Sequence, residues 1–383
     1  MQTLSNQPLA LLNQLTPEAF LAEYWQKKPL LIRQAIPQFD GLLTPDELAG
    51  LACEEEVQSR LVQFTKGQWQ VTQGPMTEKT FKRLPEKDWT LLVQGVNHFL
   101  PEAADLLAQF SFIPHARLDD LMVSYAPDGG GVGPHLDSYD VFLLQGCGKR
   151  HWKISQQTDF TLLEDAPLRI LQNFETEQEW VLEAGDMLYL PPQIAHWGTA
   201  VGNDCMTYSI GFRAPKNQEL AHEFLHYLQD QLTLTGMYTD ADLALQKHPA
   251  EISTAMVEKV HHALQAIQWD SRHIGDFLGR YLTEPKPHIV FEAPKKMSLK
   301  IFAQRIKQQM MYLDLASQML FWQDTFYLNG EPLTVPNTLI THMKALADTR
   351  QLDCSNLDAS QLSTMATLLH PHYLAGYLSL EET

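Results

Sequence analysis

Gly129-Gly130-Gly131-Val132-Gly133-Pro134-His135-Leu136-Asp137 leads into the apolar run Val141-Phe142-Leu143-Leu144, and the reading of the whole chain turns on this stretch. His135 and Asp137 stand two residues apart at the expected start of a β-strand. Residues i and i+2 of a strand share a face, so an imidazole and a carboxylate converge there. The glycines ahead of them predict a backbone that bends freely and leaves room above the pair. Two ligand-type side chains are two thirds of a metal site. An HxD triplet alone is a weak signal in a chain with 15 histidines, so the remainder has to be found elsewhere.

The third candidate lies downstream. Gly185-Asp186 turns into Met187-Leu188-Tyr189-Leu190, which stops at Pro191-Pro192, and His196-Trp197-Gly198 follows. If the strand Met187–Leu190 lies beside Val141–Leu144, His196 can face His135 and Asp137. Two neutral imidazoles and one hard carboxylate on one face of an octahedron leave three positions open. That is the ligand set of non-haem Fe(II) oxygenases, and the open positions admit a chelating co-substrate and then O2. Such an oxygenase needs an electron source. A guanidinium at Arg150 would grip the distal carboxylate of 2-oxoglutarate bidentately, with a hydroxyl from Ser124 beside it. Local pattern does not choose between Lys149 and Arg150 as the inward-pointing cation.

Around this centre, residues 118–212 read as short strands separated by Gly, Pro and Asp turns, the mark of a sandwich or barrel. Gly146-Cys147-Gly148-Lys149 between Val141–Leu144 and His151–Ile154 carries a hairpin signal. Upstream, Thr16-Pro17 and Thr44-Pro45 look like capped helix starts, and two strands flank Lys66-Gly67. Beyond Ala214 the texture turns helical, over Leu220–Leu234 and Pro249–Trp269. A Pro- and Lys-rich loop from Glu284 to Lys296 marks a further boundary. The tail predicts helices at Leu299–Gln309 and Asn337–Asp348 and a hairpin from Met319–Trp322 and Thr325–Leu328, a small winged-helix-like set. The class is α+β.

Composition bounds the function. The 383 residues predict two or three domains, and 44% hydrophobic with 19% charged residues is ordinary globular composition. No apolar run approaches a membrane span, and Met1–Gln7 lacks a secretory signal. Cys53, Cys147, Cys205 and Cys354 form no CxxC pair and predict free thiols in a reducing cytoplasm. A net charge of −18 repels nucleic acid and anionic membranes and favours a basic partner.

Three stretches together resemble the bacterial ribosomal oxygenases of the JmjC/cupin-like class: Tyr24-Trp25-Gln26-Lys27-Lys28-Pro29-Leu30-Leu31-Ile32-Arg33, Gly133–Asp137, and Leu188–Pro192 with His196-Trp197-Gly198. The resemblance extends over nearly the whole chain. It implies a double-stranded β-helix catalytic barrel over 1–214, a helical dimerisation region over 215–283 and a winged-helix-like domain over 284–383. It also implies Fe(II) on His135, Asp137 and His196, and 2-oxoglutarate on Ser124 and Arg150, which favours Arg150 over Lys149. The implied reaction is hydroxylation at C3 of an arginine in a large-subunit ribosomal protein, by a homodimer. Asp128, with Tyr125 or Tyr139, is a candidate guanidinium pocket.

Competing features carry less. His222-Glu223-Phe224-Leu225-His226 satisfies HExxH, but no third ligand follows and an amphipathic helix explains it. His261-His262 and His370-Pro371-His372 read as surface histidines. No basic recognition helix stands out after Ser298, so protein contact is expected there more than nucleic acid. Two other functions stay open: a histidine hydroxylase of a ribosomal protein on the same scaffold, and a non-catalytic cupin-type regulator that binds nucleic acid.

Overall fold

The computed structural model describes residues 6–380; Met1–Ser5, where the absence of a secretory signal was read, lie outside them. The chain forms two compact units. One gathers the described residues of Met1–Ala214, Lys286–Ser317 and Arg350–Thr383, the other Pro215–Pro285 and Gln318–Thr349.

The first unit is built on eleven strands: β1 (Leu30–Ile32), β2 (Ser59–Thr65), β3 (Gln68–Gln73), β4 (Trp89–Val93), β5 (Leu118–Ala126), β6 (Val141–Gln145), β7 (Lys149–Ser155), β8 (Gln178–Leu182), β9 (Met187–Leu190), β10 (Ala195–Val201) and β11 (Cys205–Phe212). Eight form one antiparallel sheet in the order β1-β9-β6-β11-β5-β4-β2-β3; β10-β7-β8 form a second. One face of the large sheet (Phe142, Leu144, Tyr189, Tyr208, Ile210) shares a core with Phe20, Leu48, Leu106 and Leu107 of the helices Pro17–Glu23, Pro45–Leu51 and Pro101–Ala108. The other face (Val141, Leu143, Leu188, Leu190) packs on Trp152, Ile154 and Leu182 of the small sheet. Strand β6 is buried on both faces, which is why it reads as an unbroken apolar run without alternation.

Local signals fall where chemistry predicts. Thr16 accepts the Ala19 amide, and Thr44 forms a capping box with Glu47. Lys66 and Gly67 both take positive φ in the β2–β3 hairpin. As expected, β9 pairs with β6. The hairpin at Gly146–Lys149 does not form: β6 pairs with β11 and β9, while β7 pairs with β10 and β8. These glycines make a corner that carries the chain from one sheet to the other. Gly146 lies where a Cβ would come 2.7 Å from the Tyr208 ring. Turn chemistry specifies a bend; burial of both faces of β6 selects its partners.

The same unit holds the helices Leu299–Ile306 and Ala359–Leu374 and a small sheet of Gln351–Leu352, Met311–Leu313 and Leu378–Leu380. The second unit holds Asn217–Gln231, Thr254–Leu264, Ser271–Thr283 and Ile340–Thr349 as helices. In it the expected hairpin extends to a third strand, Glu331–Leu333. The helix Ser271–Thr283 lies tight on this sheet: a Cβ on Gly275 or Gly279 would meet the Trp322 or Tyr327 ring at 2.3 Å. All four cysteines are free. No helix among the described residues is long and apolar enough to cross a membrane.

Candidate functional site

His135 is not inside a strand. It forms an isolated antiparallel bridge with His196, each amide donating to the other's carbonyl. The bridge ties the approach to β6 to the start of β10. It brings one ligand atom from each of His135, Asp137 and His196 within 4.8 Å of the others, and no other such cluster of His, Cys, Asp and Glu exists among the described residues.

Each imidazole is set for a metal by its own backbone. His135 Nδ1 lies 2.9 Å from the Gly133 carbonyl, and His196 Nδ1 lies 2.9 Å from the Ile194 carbonyl. A carbonyl only accepts, so Nδ1 carries the proton in both rings and each Nε2 presents a lone pair. The rings stand 4.2 Å apart between centroids, and His196 Nε2 lies 3.6 Å from Asp137 Oδ2. Burial, and then the neighbouring His135, lower the His196 pKa to about 4 against the pull of Asp137. A neutral imidazole is the form that binds metal.

The glycine approach is a packed segment, which corrects the expectation of a freely bending wall. Gly130, Gly131 and Gly133 are buried. A Cβ on Gly130 would meet the Trp89 carbonyl oxygen at 2.0 Å, and one on Gly131 the Gly198 carbonyl oxygen at 2.4 Å. The Gly129 amide donates to the Ala200 carbonyl, and the Ala200 amide to that of Gly130. These residues lack side chains because another backbone occupies that space. Beyond the ligands, Asp140 is fully buried and accepts hydrogen bonds from Tyr189 Oη (2.6 Å), Gln26 Nε2 (3.0 Å) and Arg117 Nη2 (3.4 Å). The Tyr-Trp-Gln opening therefore braces the loop that carries Asp137.

Lys149 turns outward to pair with Glu183. Arg150 turns inward: it is 5% exposed, and its Nε and Nη2 are buried with no hydrogen-bond partner. A buried guanidinium without an acceptor costs several kcal/mol, and that adjacent pair of N–H groups is the fork that takes a carboxylate. Ser124 is buried, directly opposite Thr207, and makes only a 3.5 Å contact to the Thr207 carbonyl. The residues present thus fit both a divalent metal and a dicarboxylate. Trp152 has no place in the sequence expectations, although it follows Arg150 by two residues on the same strand face. Its buried Nε1 also lacks a partner.

Other expectations resolve differently. Asp128 is exposed and accepts the Gly202 amide, and Tyr125 donates to Asp204, so both already serve the scaffold. The HExxH helix is real, but His222 bonds Gln218 and both histidines are exposed. His261 and His262 are exposed as expected. His370 is half-buried: its Nε2 lies 2.8 Å from the Met297 carbonyl and its ring packs on Phe302.

Residues 105–220 match the JmjC domain family and residues 266–379 the ROXA-like winged helix. The chain is 35% identical over 363 residues to the ribosomal protein uL16 3-hydroxylase of Escherichia coli K12, covering 92% of this chain and 96% of that one. It belongs to the JmjC-domain ribosomal oxygenases. Among solved ribosomal oxygenases, the X-ray structure of E. coli YcfD superposes with a TM-score of 0.82 at 34% identity, covering 94% of this chain and 97% of that one. The same E. coli protein in complex with cobalt and 2-oxoglutarate gives 0.80 at 33%, covering 95% and 97%. The ribosomal-oxygenase fold is therefore a JmjC/cupin barrel with a C-terminal winged helix, as the resemblance implied.

Proposed function

We propose that this chain is an Fe(II)- and 2-oxoglutarate-dependent oxygenase that hydroxylates C3 of an arginine side chain in a large-subunit ribosomal protein, uL16 as in the E. coli relative. One observation carries the reading. A cluster of two histidines and one carboxylate, with both Nε2 lone pairs free, shares the barrel with a buried guanidinium fork that has no acceptor. His135, Asp137 and His196 would hold Fe(II), while Arg150 and Ser124 would hold the distal carboxylate of 2-oxoglutarate. Bound iron, 2-oxoglutarate and O2 supply the oxidising chemistry and release succinate. The protein's own residues fix the ligand geometry: the Gly133 and Ile194 carbonyls orient the two rings, and burial keeps the His196 imidazole neutral.

For the substrate cation, Asp120 is better placed than Asp128. It is 3% exposed, its Oδ2 makes no hydrogen bond, and only Lys286 Nζ approaches that atom, at 3.6 Å. Tyr139, 40% exposed, feels both carboxylates: desolvation, then the charges of Asp137 and Asp120, push its phenol well above its usual pKa. A guanidinium entering here would satisfy Asp120 and stack on Tyr139.

Residues 1–214 would form the catalytic domain and 284–383 the winged-helix-like domain. Residues 215–283 would hold a homodimer together, supported by their exposed apolar side chains, among them Leu225, Met237, Leu245, Ile252 and Val257. The net charge of −18 suits a basic ribosomal protein and disfavours direct nucleic-acid binding. The free thiols suit the cytoplasm.

The test is tandem mass spectrometry of recombinant uL16 incubated with the enzyme, Fe(II), 2-oxoglutarate and O2. One added oxygen on an arginine is expected, abolished by His135→Ala and slowed roughly tenfold or more by Asp120→Asn. An added oxygen on a histidine, or none on any residue, sinks the proposal.

A further inference from the structure

Three buried N–H donors on one strand face of the barrel have no acceptor in the protein: Nε and Nη2 of Arg150, and Nε1 of Trp152. Arg150 and Trp152 are two residues apart on β7, so both side chains rise from the same face. The Arg150 guanidinium carbon lies 5.7 Å from the Trp152 ring centre, and the His196 ring centre lies 5.9 Å from it on another side. The indole therefore sits between the cation and a metal-ligand candidate.

The β7–β10 ladder explains this position. His196 pairs with Ile154, Gly198 with Trp152 and Ala200 with Arg150. Two residues separate successive inward-facing rows, about 7 Å of strand. Trp152 occupies the middle row of three. Its partner there is glycine for a steric reason: a Cβ on Gly198 would meet ring atoms Cζ3, Cη2 and Cε3 at 2.6–2.9 Å. The benzenoid edge lies against the bare backbone of Gly198. The pyrrole edge, which carries Nε1, is the one left without a partner. A buried indole N–H usually finds an acceptor. Here none exists, on a residue only 5% exposed.

We infer that the Trp152 indole N–H is a third donor for the carboxylate that Arg150 grips, and that its ring is the floor on which the co-substrate lies between Arg150 and the metal. A carboxylate offers about four lone-pair sites, so it can take the guanidinium fork and one indole together. No protein atom supplies this acceptor, and the carboxylate placed on Arg150 is the ligand group that would. This inference rests on the proposed 2-oxoglutarate site and adds a residue to it. Trp152 would contact the co-substrate directly.

The experiment uses the full-length protein loaded with Zn(II), which is diamagnetic and does not turn over. The chain has eight tryptophans, so 15N-tryptophan is placed at position 152 alone through a suppressor codon, and the sample shows a single labelled indole resonance. Adding 2-oxoglutarate is expected to move this N–H downfield, as a new charged acceptor would. By titration calorimetry, Trp152→Phe keeps a ring over Gly198, leaves Zn(II) binding unchanged and weakens 2-oxoglutarate binding about tenfold or more, the effect of losing one hydrogen bond to a charged group. An indole resonance that stays still while the wild type binds 2-oxoglutarate overturns the inference. So does unchanged affinity in Trp152→Phe, provided Arg150→Gln abolishes binding. If the wild type binds no 2-oxoglutarate, the proposed function itself fails. Should Trp152→Phe not fold, the wild-type resonance alone decides.

Discussion

Arg150→Met is expected to make the metal-free, ligand-free protein more stable while removing its co-substrate. In the native fold two guanidinium N–H groups are buried without acceptors, and each costs about 1–3 kcal/mol. Methionine fills similar space with no polar atom. Against that gain stands the lost cation–π contact of Arg150 with Trp152, both buried, about 2 kcal/mol for a desolvated pair. The balance runs from about 0 to 4 kcal/mol, and its middle, about 2 kcal/mol, is a Tm rise of about 4–8 °C if the first unit melts cooperatively. Adding Zn(II) and 2-oxoglutarate should reverse the order. The wild type gains stability by linkage, about 2.7 kcal/mol at a hundredfold excess over Kd, whereas Arg150→Met gains nothing from the ketoacid. The measurement is a pair of thermal melts per protein, with and without ligand. If Arg150→Met melts lower than wild type when ligand-free, the guanidinium already has partners in the empty fold. The argument that its unpaired donors exist for a ligand would then be wrong.

Burial, then the charges of Lys286, His288 and Arg350, hold His98 at a pKa of about 4 against the opposing pull of Asp119. Its unfolded value is near 6.5, so between these values the unfolded chain binds a proton that the fold refuses. Stability is complete above pH 6.5 and falls as pH drops towards 4, by up to about 1.4 kcal/mol per pH unit from this group. His98→Gln should flatten that slope in urea titrations run at stepped pH, and an unchanged slope would remove His98 from the account. In the glycine approach, Gly130→Ala forces a Cβ against the Trp89 carbonyl and should cost roughly 1–3 kcal/mol. Gly202→Ala, with positive φ but open space around it, should cost about 1 kcal/mol. Equal urea midpoints for the two variants would mean that the approach segment yields after all.

What the sequence determined by itself was chemistry and local form. His135 and Asp137 two apart, and His196 after a double proline, are visible as residue types at fixed spacing, whereas Trp152 carried no signal until its neighbours were seen. Caps at Thr16 and Thr44 and the turn at Lys66-Gly67 were legible because their physics is local. The tertiary structure alone decided what depends on neighbours distant in sequence. It made Gly146–Gly148 a corner between sheets, because burial on both faces of β6 chose β9 and β11 as partners. It turned Arg150 inward and Lys149 outward, a one-residue register choice that strand pairing sets. It occupied Asp128 and Tyr125 with scaffold contacts and left one carboxylate oxygen of Asp120, Oδ2, without a hydrogen bond. It also packed the glycine approach against Trp89 and Gly198. A missing side chain reads in sequence as freedom to move. Only the neighbouring backbones show that here it means close contact.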